Sequence, residues 1–409
     1  MTQTADPDIV AAWSGKGKAK AEEPKADPNN PVATRYTPAS ARAKIADIVK
    51  KETSKKNGLA VALGIQMVET HRVTTGFAGM DYVFGGGLPL GHQIEISGWE
   101  GSGKTTAALT MIASAQREGL LCGFIDIEKT YEPRYALALG VDTEGIVIAR
   151  PKTGEEALEI LIWMLESDIT VVVVDSIAAM LPRAEAAGDI GDSHMSLQAR
   201  LMGQACRKTV PLCQLKNSTV IWLNQIRERP AKYKGDSGEY TPGGNAMRFY
   251  ASVRLRTHAS KKQQEGSGDN RVGIGKEVML TAFKNKTAPE DRRWRFFVTY
   301  GLGFDALHDL VKAVDKFGSL DKKGSWYWLG ERRLCNGGAD LKDLLEQDDE
   351  LRQTVMDLTR AKIAQVTLNE QTGEAESGLF DDDAEAPATD AQGLPTFTTG
   401  PALSGITTE

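Results

Sequence analysis

The chain has 409 residues, 41% of them hydrophobic and 25% charged. That balance supports a sizeable core, and the length suits two or three domains. The longest near-continuous apolar run, Ile169 to Met180, is broken by Asp175 and Ser176 and falls short of the roughly 18 residues of a bilayer span. The opening MTQTADPDIV lacks the apolar stretch of a signal peptide, so no membrane partner is expected. Four scattered cysteines (Cys122, Cys206, Cys213, Cys335) form no CxxC pair, which argues against a disulfide framework or a zinc site and for a reducing, cytoplasmic setting. The net charge of −6 hides an asymmetry: residues 369–409 carry nine acidic and no basic side chains, leaving 46 acidic against 49 basic elsewhere. A slightly basic body with an acidic tail suits a polyanion partner for which the tail competes, although a merely solubilising tail fits the charge equally well.

In chain order, residues 1–38 are rich in Pro, Lys, Ala, Asp and Asn and hold too few periodic apolar side chains to order themselves, so they read as a flexible arm. Within the segment 39–72, Ala39–Lys56 reads as a helix with Ile45, Ile48 and Val49 along one side, ended by Gly58. Such a helix either caps its own domain or serves as a handle for a neighbouring subunit. From Val73 to Gly301 short apolar strands (Gln93–Ser97, Cys122–Ile127, Ile146–Ala149, Thr170–Asp175, Thr219–Asn224, Ser252–Arg256, Val278–Lys284) alternate with helical patterns (Thr105–Glu118, Thr153–Ser167, His194–Lys216). This predicts an α/β core with a mostly parallel central sheet. Over 302–368 the helical patterns Ala306–Phe317 and Ala339–Ile363 flank a Trp-rich hairpin candidate, Trp326–Leu329, which predicts a small C-terminal α+β domain. The acidic tail, 369–409, is expected to be disordered.

Gly98-Trp99-Glu100-Gly101-Ser102-Gly103-Lys104-Thr105 fits GxxxxGK[ST], preceded by a strand and opening a helix. In that setting glycines let backbone N–H groups converge on phosphate oxygens, and the helix N-terminus adds its positive end. Lys104 would neutralise the β- and γ-phosphates of a nucleotide, and the Thr105 hydroxyl would ligate Mg²⁺. The metal shell also calls for a carboxylate at the tip of another buried strand, and Asp175 at the end of Thr170–Asp175 supplies it. Hydrolysis needs a group that deprotonates water. Glu128 ends the strand following the phosphate-loop helix and is the best candidate base; Asp126 is a weaker one, because it lies two residues deeper on the same side. On position alone Glu128 reads equally as a base or as a surface charge. Asn224-Gln225 ends a further apolar strand, where an amide senses a γ-phosphate or holds a loop.

The segments GGLPLGHQIEISGWEGSGKTT (85–106), VVVVDSIAAMLPRAEAAGDIGDSHMSLQARLM (171–202), NQIRERP (224–230), TPGGNAMRFYASVRL (241–255) and KNK (284–286) resemble, in this order, the RecA family of recombinases, and its bacterial branch most closely. The resemblance runs from about Val73 to Ile363, about 70% of the chain. It implies a RecA-like P-loop ATPase core that uses ATP and Mg²⁺, forms homo-oligomeric helical filaments on single-stranded DNA, and pairs them with homologous duplex DNA. It places Gly98, Glu100, Gly101, Ser102, Gly103, Lys104, Thr105 and Thr106 around the phosphates, Glu132 and Tyr135 beside the adenine, and Thr105 and Asp175 on the metal. Glu128 takes the water-activating role, and Gln225 couples the γ-phosphate to the DNA loop after it. Lys284 and Lys286 reach the adjacent subunit's nucleotide, and Phe249 transmits the ATP state across the boundary. DNA would meet two loops, about 185–195 and 226–244. Their expected contacts are Gly188, Ser193, Met195, Arg227, Arg229, Lys232, Tyr233, Gly243, Gly244 and Asn245, joined by Arg200 and Arg207 on the helix between. Basic and aromatic side chains among glycines suit backbone neutralisation and base stacking. This chain departs from the family pattern with Lys129 where bacterial members commonly carry His, Glu132 for Asp, Pro230-Ala231 for an aliphatic wedge, and a slightly longer second loop. A ring-forming motor would lack IGDSHM and GGNAMRFYASVRL, and a non-hydrolysing mediator would have lost Lys104 or Glu128.

Overall fold

The computed structural model describes residues 38–53, 70–188, 195–228, 238–265 and 272–372. The arm expected over 1–38 lies outside them up to residue 37, as do residues 54–69, parts of both expected loops, and the tail from residue 373. The chain divides into two units, residues 1–69 and 70–409. The first holds helix α1 (Pro38–Thr53), whose Lys51 pairs with Asp47 one turn earlier at 2.8 Å.

In the second unit β1 (Arg72–Val73) pairs antiparallel with β2 (Leu88–Pro89), and the main sheet has nine strands. Six strands run parallel in the order β10 (Val253–Glu265), β3 (Gln93–Gly98), β7 (Thr219–Gln225), β6 (Val171–Asp175), β4 (Cys122–Asp126) and β5 (Ile146–Ala149). Beyond β10 the sheet continues antiparallel through β11 (Val272–Asn285), β12 (Arg293–Thr299) and β13 (Gly303–Phe304). The sheet is covered on both faces, which explains the unbroken valine run of β6. Val171 and Val173 join the cluster with α2 (Ala78–Phe84) and α3 (Lys104–Arg117), while Val172 and Val174 join α5 (Gly154–Glu166) and α7 (Met195–Lys216). Each such valine contributes about 1.5–3 kcal/mol on burial. The parallel, doubly covered sheet puts the C-terminal ends of β3, β4, β6 and β7 along one edge, where open α/β sheets bind ligands.

Two elements differ from the sequence pattern. Strand β12 escapes a search for apolar runs because Arg293, Arg295 and Phe297 alternate with buried Trp294, Phe296 and Val298, the signature of an antiparallel strand covered on one face. The helix expected over Ala339–Ile363 is two helices, α10 (Gly337–Gln347) and α11 (Asp349–Thr372). Asp348 breaks it by capping α11, accepting from the Leu351 N–H at 2.9 Å. Helix α11 also runs past Leu368, and Glu370 is paired with the buried Arg292 of the core. The Trp-rich segment is the middle strand β15 (Trp326–Leu329) of a three-stranded sheet between β14 (Asp321–Lys323) and β16 (Arg332–Asn336). That sheet packs with α9 (Ala306–Phe317), α10 and α11 around Leu310, Val314, Tyr327, Leu341 and Leu345.

Asp309 of α9 is fully enclosed, accepting from the Gly79 N–H of α2 at 3.2 Å. Burial pushes its carboxyl up to about 7, the Gly79 amide pulls it down, and Asp81 nearby adds to the rise. Between pH 3.8 and about 7 the folded chain therefore holds a proton that the unfolded chain has lost, so stability falls as pH rises through that window. Asp309→Asn keeps an acceptor for Gly79 and removes the charge. It is expected to raise unfolding free energy at pH 8 by up to about 4 kcal/mol, at about 1.4 kcal/mol for each pKa unit between 3.8 and about 7, with the gain fading towards pH 4. Urea titrations across that range check it, and a variant that tracks the wild type at every pH refutes it.

Candidate nucleotide site and adjoining loops

The phosphate loop joins β3 to α3. Gly103 turns it with φ of 89°, a left-handed backbone that favours glycine. Gly98 lies so close to the Thr257 and Ser102 hydroxyls that a Cβ would sit 2.2 and 2.4 Å from their oxygens. Ser102 and Thr257 share a hydrogen bond of 2.7 Å, tying the loop to β10. Lys104 is nearly buried, and its ammonium donates to the carbonyls of Gly98 (3.0 Å) and Trp99 (2.8 Å). Burial lowers its pKa while Asp175, Glu128 and Glu100 raise it. A second cation, Lys276 of β11, donates to the Gly101 carbonyl.

Asp175, at the tip of β6, accepts from the Thr105 hydroxyl at 2.9 Å. Its carboxyl is pushed up to about 6, first by burial and next by the charge of Glu128. Glu128 lies half-buried beyond β4, where one carboxylate oxygen accepts from the Ser176 hydroxyl and from Gln225 Nε2, the latter at 3.0 Å. Asp126 is wholly engaged elsewhere. Its oxygens accept from Thr130 N (2.9 Å), Tyr131 N (3.2 Å) and Arg150 Nε (3.0 Å), which pins the turn made by Lys129 at φ of 59°. That leaves Glu128 as the carboxylate facing the phosphate loop from β4, beside the hard oxygen donors Thr105 and Asp175 that suit a Mg²⁺ ion.

Glu132, Arg134, Tyr135 and Gly301 line an open groove of about 590 Å³. Tyr135 shares a 2.8 Å hydrogen bond with Thr106 of α3, which fixes the groove beside the phosphate loop. Glu132 caps the short helix α4 (Pro133–Ala138) through the Arg134 N–H. Lys284 and Lys286 are not brought to this chain's own phosphate loop. The Lys284 ammonium caps helix α8 (Ala246–Tyr250) through the carbonyls of Arg248 and Ala251, each at 2.7 Å, and burial with its cationic neighbours lowers it to about 8. Lys286 is exposed, as is Phe249 on α8, at 67%.

Of the residues expected on DNA, Gly188 ends the short helix α6 (Arg183–Ala187), and Met195 opens α7. Arg200 and Arg207 are exposed on α7, and Arg227 is exposed on β8 (Arg227–Glu228). Strand β8 pairs with β9 (Glu239–Tyr240), closing the second loop at its base. Gly243 and Gly244 are left-handed (φ 89° and 68°), and Asn245 directly precedes α8 without a capping bond from its side chain. Ser193, Arg229, Lys232 and Tyr233 lie outside the described residues. The loop's return is held by Asn224, whose amide donates to Glu95 (2.9 Å) and to the Pro242 carbonyl (3.1 Å). Sequence reasoning passed over Ser176 as a Glu128 partner, and over Trp99, Glu239 and Lys276. None is distinguished by spacing, because the partner each one meets is distant in sequence: Glu128 for Ser176, Glu239 for Trp99 and Gly101 for Lys276.

A strand, a glycine-turned loop closing on a buried lysine, a helix N-terminus and a strand-tip aspartate define an α/β protein with a phosphate-loop nucleotide fold. Residues 43–305 match the family described as RecA N-terminal domain. The protein RecA of Mannheimia haemolytica is 39% identical over 336 residues, covering 81% of this chain and 90% of that protein. That of Thermus aquaticus is 40% identical over 331 residues, covering 80% and 96%. That of Parvibaculum lavamentivorans is 38% identical over 373 residues, covering 84% and 99%. The chain belongs to the RecA family. Among the described residues no helix is long and apolar enough to cross a membrane.

Proposed function

We propose that this chain is a DNA-dependent ATPase and recombinase that assembles as a helical filament on single-stranded DNA and exchanges strands with homologous duplex. The observation that carries the reading is the Gln225–Glu128 contact: the carboxylate facing the phosphate loop is held by the last residue of β7, one residue before the second loop begins. Lys104 exchanges its carbonyl partners for the β- and γ-phosphates of ATP. Thr105 and Asp175 hold Mg²⁺, which supplies charge neutralisation at the phosphates. Glu128 accepts the proton of the attacking water while Ser176 and Gln225 orient it. Glu132 and Tyr135 flank the base. Lys284 and Lys286 complete the site from the neighbouring subunit, so turnover depends on assembly.

ATP hydrolysis measured with and without a single-stranded oligonucleotide, over a range of protein concentrations, tests this. Stimulation rising cooperatively with protein supports it, and turnover indifferent to DNA favours a ring motor or a regulatory ATPase. For the DNA surface, Arg227→Ala is expected to weaken single-strand binding across sequences and to reduce the slope of log affinity against log salt by roughly 0.7, one phosphate contact. An unchanged slope moves the DNA site away from β8.

A further inference from the structure

The phosphate loop and the second loop also meet through their side chains. Trp99 donates from its indole Nε1 to Glu239 at 3.2 Å, and the other oxygen of that carboxylate is ion-paired with Arg256. Arg256 is 1% exposed, so its guanidinium is a buried cation that requires a counter-ion, and Glu239 provides one. Glu239 opens β9, the strand that closes the second loop against β8. Arg256 lies in β10 opposite Ser97 of β3, directly before the phosphate loop. The carboxylate is thereby shared between Arg256 of the sheet and Trp99 of the phosphate loop.

We propose that Trp99, Glu239 and Arg256 form a relay through which occupancy of the phosphate loop sets the stem of the second loop. Arg256 is the anchor, Glu239 the shared acceptor and Trp99 the moving part; all three are positioning residues. Competition for Lys104 drives the relay. Its ammonium holds the carbonyls of Gly98 and Trp99. A phosphate oxygen, as a charged acceptor, outcompetes both carbonyls for that donor. Gly98 keeps a bond from the Ile226 N–H at 3.1 Å, so its end of the loop stays fixed to β7. The Trp99 carbonyl also accepts from the Ser102 N–H at 3.2 Å, a loop amide for which a bound phosphate competes as well, so both donors are drawn away, the Trp99 peptide turns, and its indole carries the bond to Glu239. This is a second route from phosphate to loop, separate from Glu128–Gln225, since it enters the loop at its return rather than its start.

The relay rests on the ATP- and DNA-binding reading above, and one experiment separates the two. The affinity for a single-stranded oligonucleotide is measured with and without a non-hydrolysable ATP analogue, and the affinity for the analogue with and without the oligonucleotide. By linkage both ratios must agree. Trp99→Phe keeps a ring and removes the N–H; Glu239→Gln keeps an acceptor and removes the charge. Each is expected to shrink the ratio about fivefold or more, the scale of an ordinary coupling. The double variant is expected to fall no further than the deeper single one, because both interrupt one chain of contacts, Trp99→Phe at the indole bond and Glu239→Gln at the ion pair with Arg256. A purely structural role would weaken both affinities and leave the ratio intact. A wild-type ratio of one overturns the functional reading and the relay with it. A wild-type ratio above one that Trp99→Phe preserves overturns the relay alone. Trp99→Phe leaves the Arg256–Glu239 pair in place and so carries the test even where Glu239→Gln fails to fold.

Discussion

Lys104→Ala is expected to lower ATP turnover by about 10²–10³-fold, the loss that follows removal of one preorganised donor to a developing negative charge. The ammonium is nearly buried and lies within reach of two loop carbonyls, so it needs no large movement to meet a phosphate placed over the loop. Its charge is sustained against burial by Asp175, Glu128 and Glu100. The neighbouring Lys276 of β11 does not replace it, because its ammonium is held by the Gly101 carbonyl and not by the Gly98 and Trp99 carbonyls that Lys104 contacts. The fold should survive the change: Ser102–Thr257 and the Ile226–Gly98 bond still fix both ends of the loop. Steady-state hydrolysis with saturating oligonucleotide, alongside a thermal melt, checks both parts. Turnover within tenfold of the wild type would remove this loop from the chemistry.

What could be read in the sequence followed from the range of the interactions involved. The phosphate loop is a run of eight residues with its glycines, lysine and helix start in fixed order, so its geometry is local. Asp175 was legible because a carboxylate at the tip of an all-valine strand has few other reasons to exist. The parallel core was legible because doubly covered strands are apolar throughout. Strand β12 was not, since arginines occupy its outward positions, and the break at Asp348 was not, since a helix cap looks like any other aspartate inside an amphipathic run. Glu128 and Asp126 show the limit most plainly. Two carboxylates two residues apart on one strand end point to the same side, and pattern ranks Glu128 above Asp126 only for its shallower position. The distinction comes from the turn at Lys129, which folds two amides and Arg150 onto Asp126 and leaves Glu128 to Ser176 and Gln225. The relay residues belong to the same class, because Trp99, Glu239 and Arg256 meet only through the registers of β10 with β3 and of β9 with β8.

Glu128→Gln separates binding from chemistry more sharply than any change in the loop itself. The amide oxygen of glutamine still accepts from the Ser176 hydroxyl and Gln225 Nε2, so the contacts around position 128 persist, but it cannot take a proton from water. The expected fall in kcat is about 10²–10⁴-fold, the span of a lost general base. Nucleotide affinity should hold or improve. The negative charge of Glu128 is one cause of the raised Asp175 carboxyl, so its removal favours the ionised form of the residue that would hold Mg²⁺. A variant that binds a fluorescent ATP analogue at least as tightly as the wild type, yet barely turns over with DNA present, is the predicted result. Since hydrolysis would then no longer clear the bound state, such a variant should also hold single-stranded DNA longer than the wild type when ATP is supplied. Undiminished kcat would transfer the proton-accepting role away from β4, and a joint loss of binding and turnover would make Glu128 a structural partner of Gln225 instead.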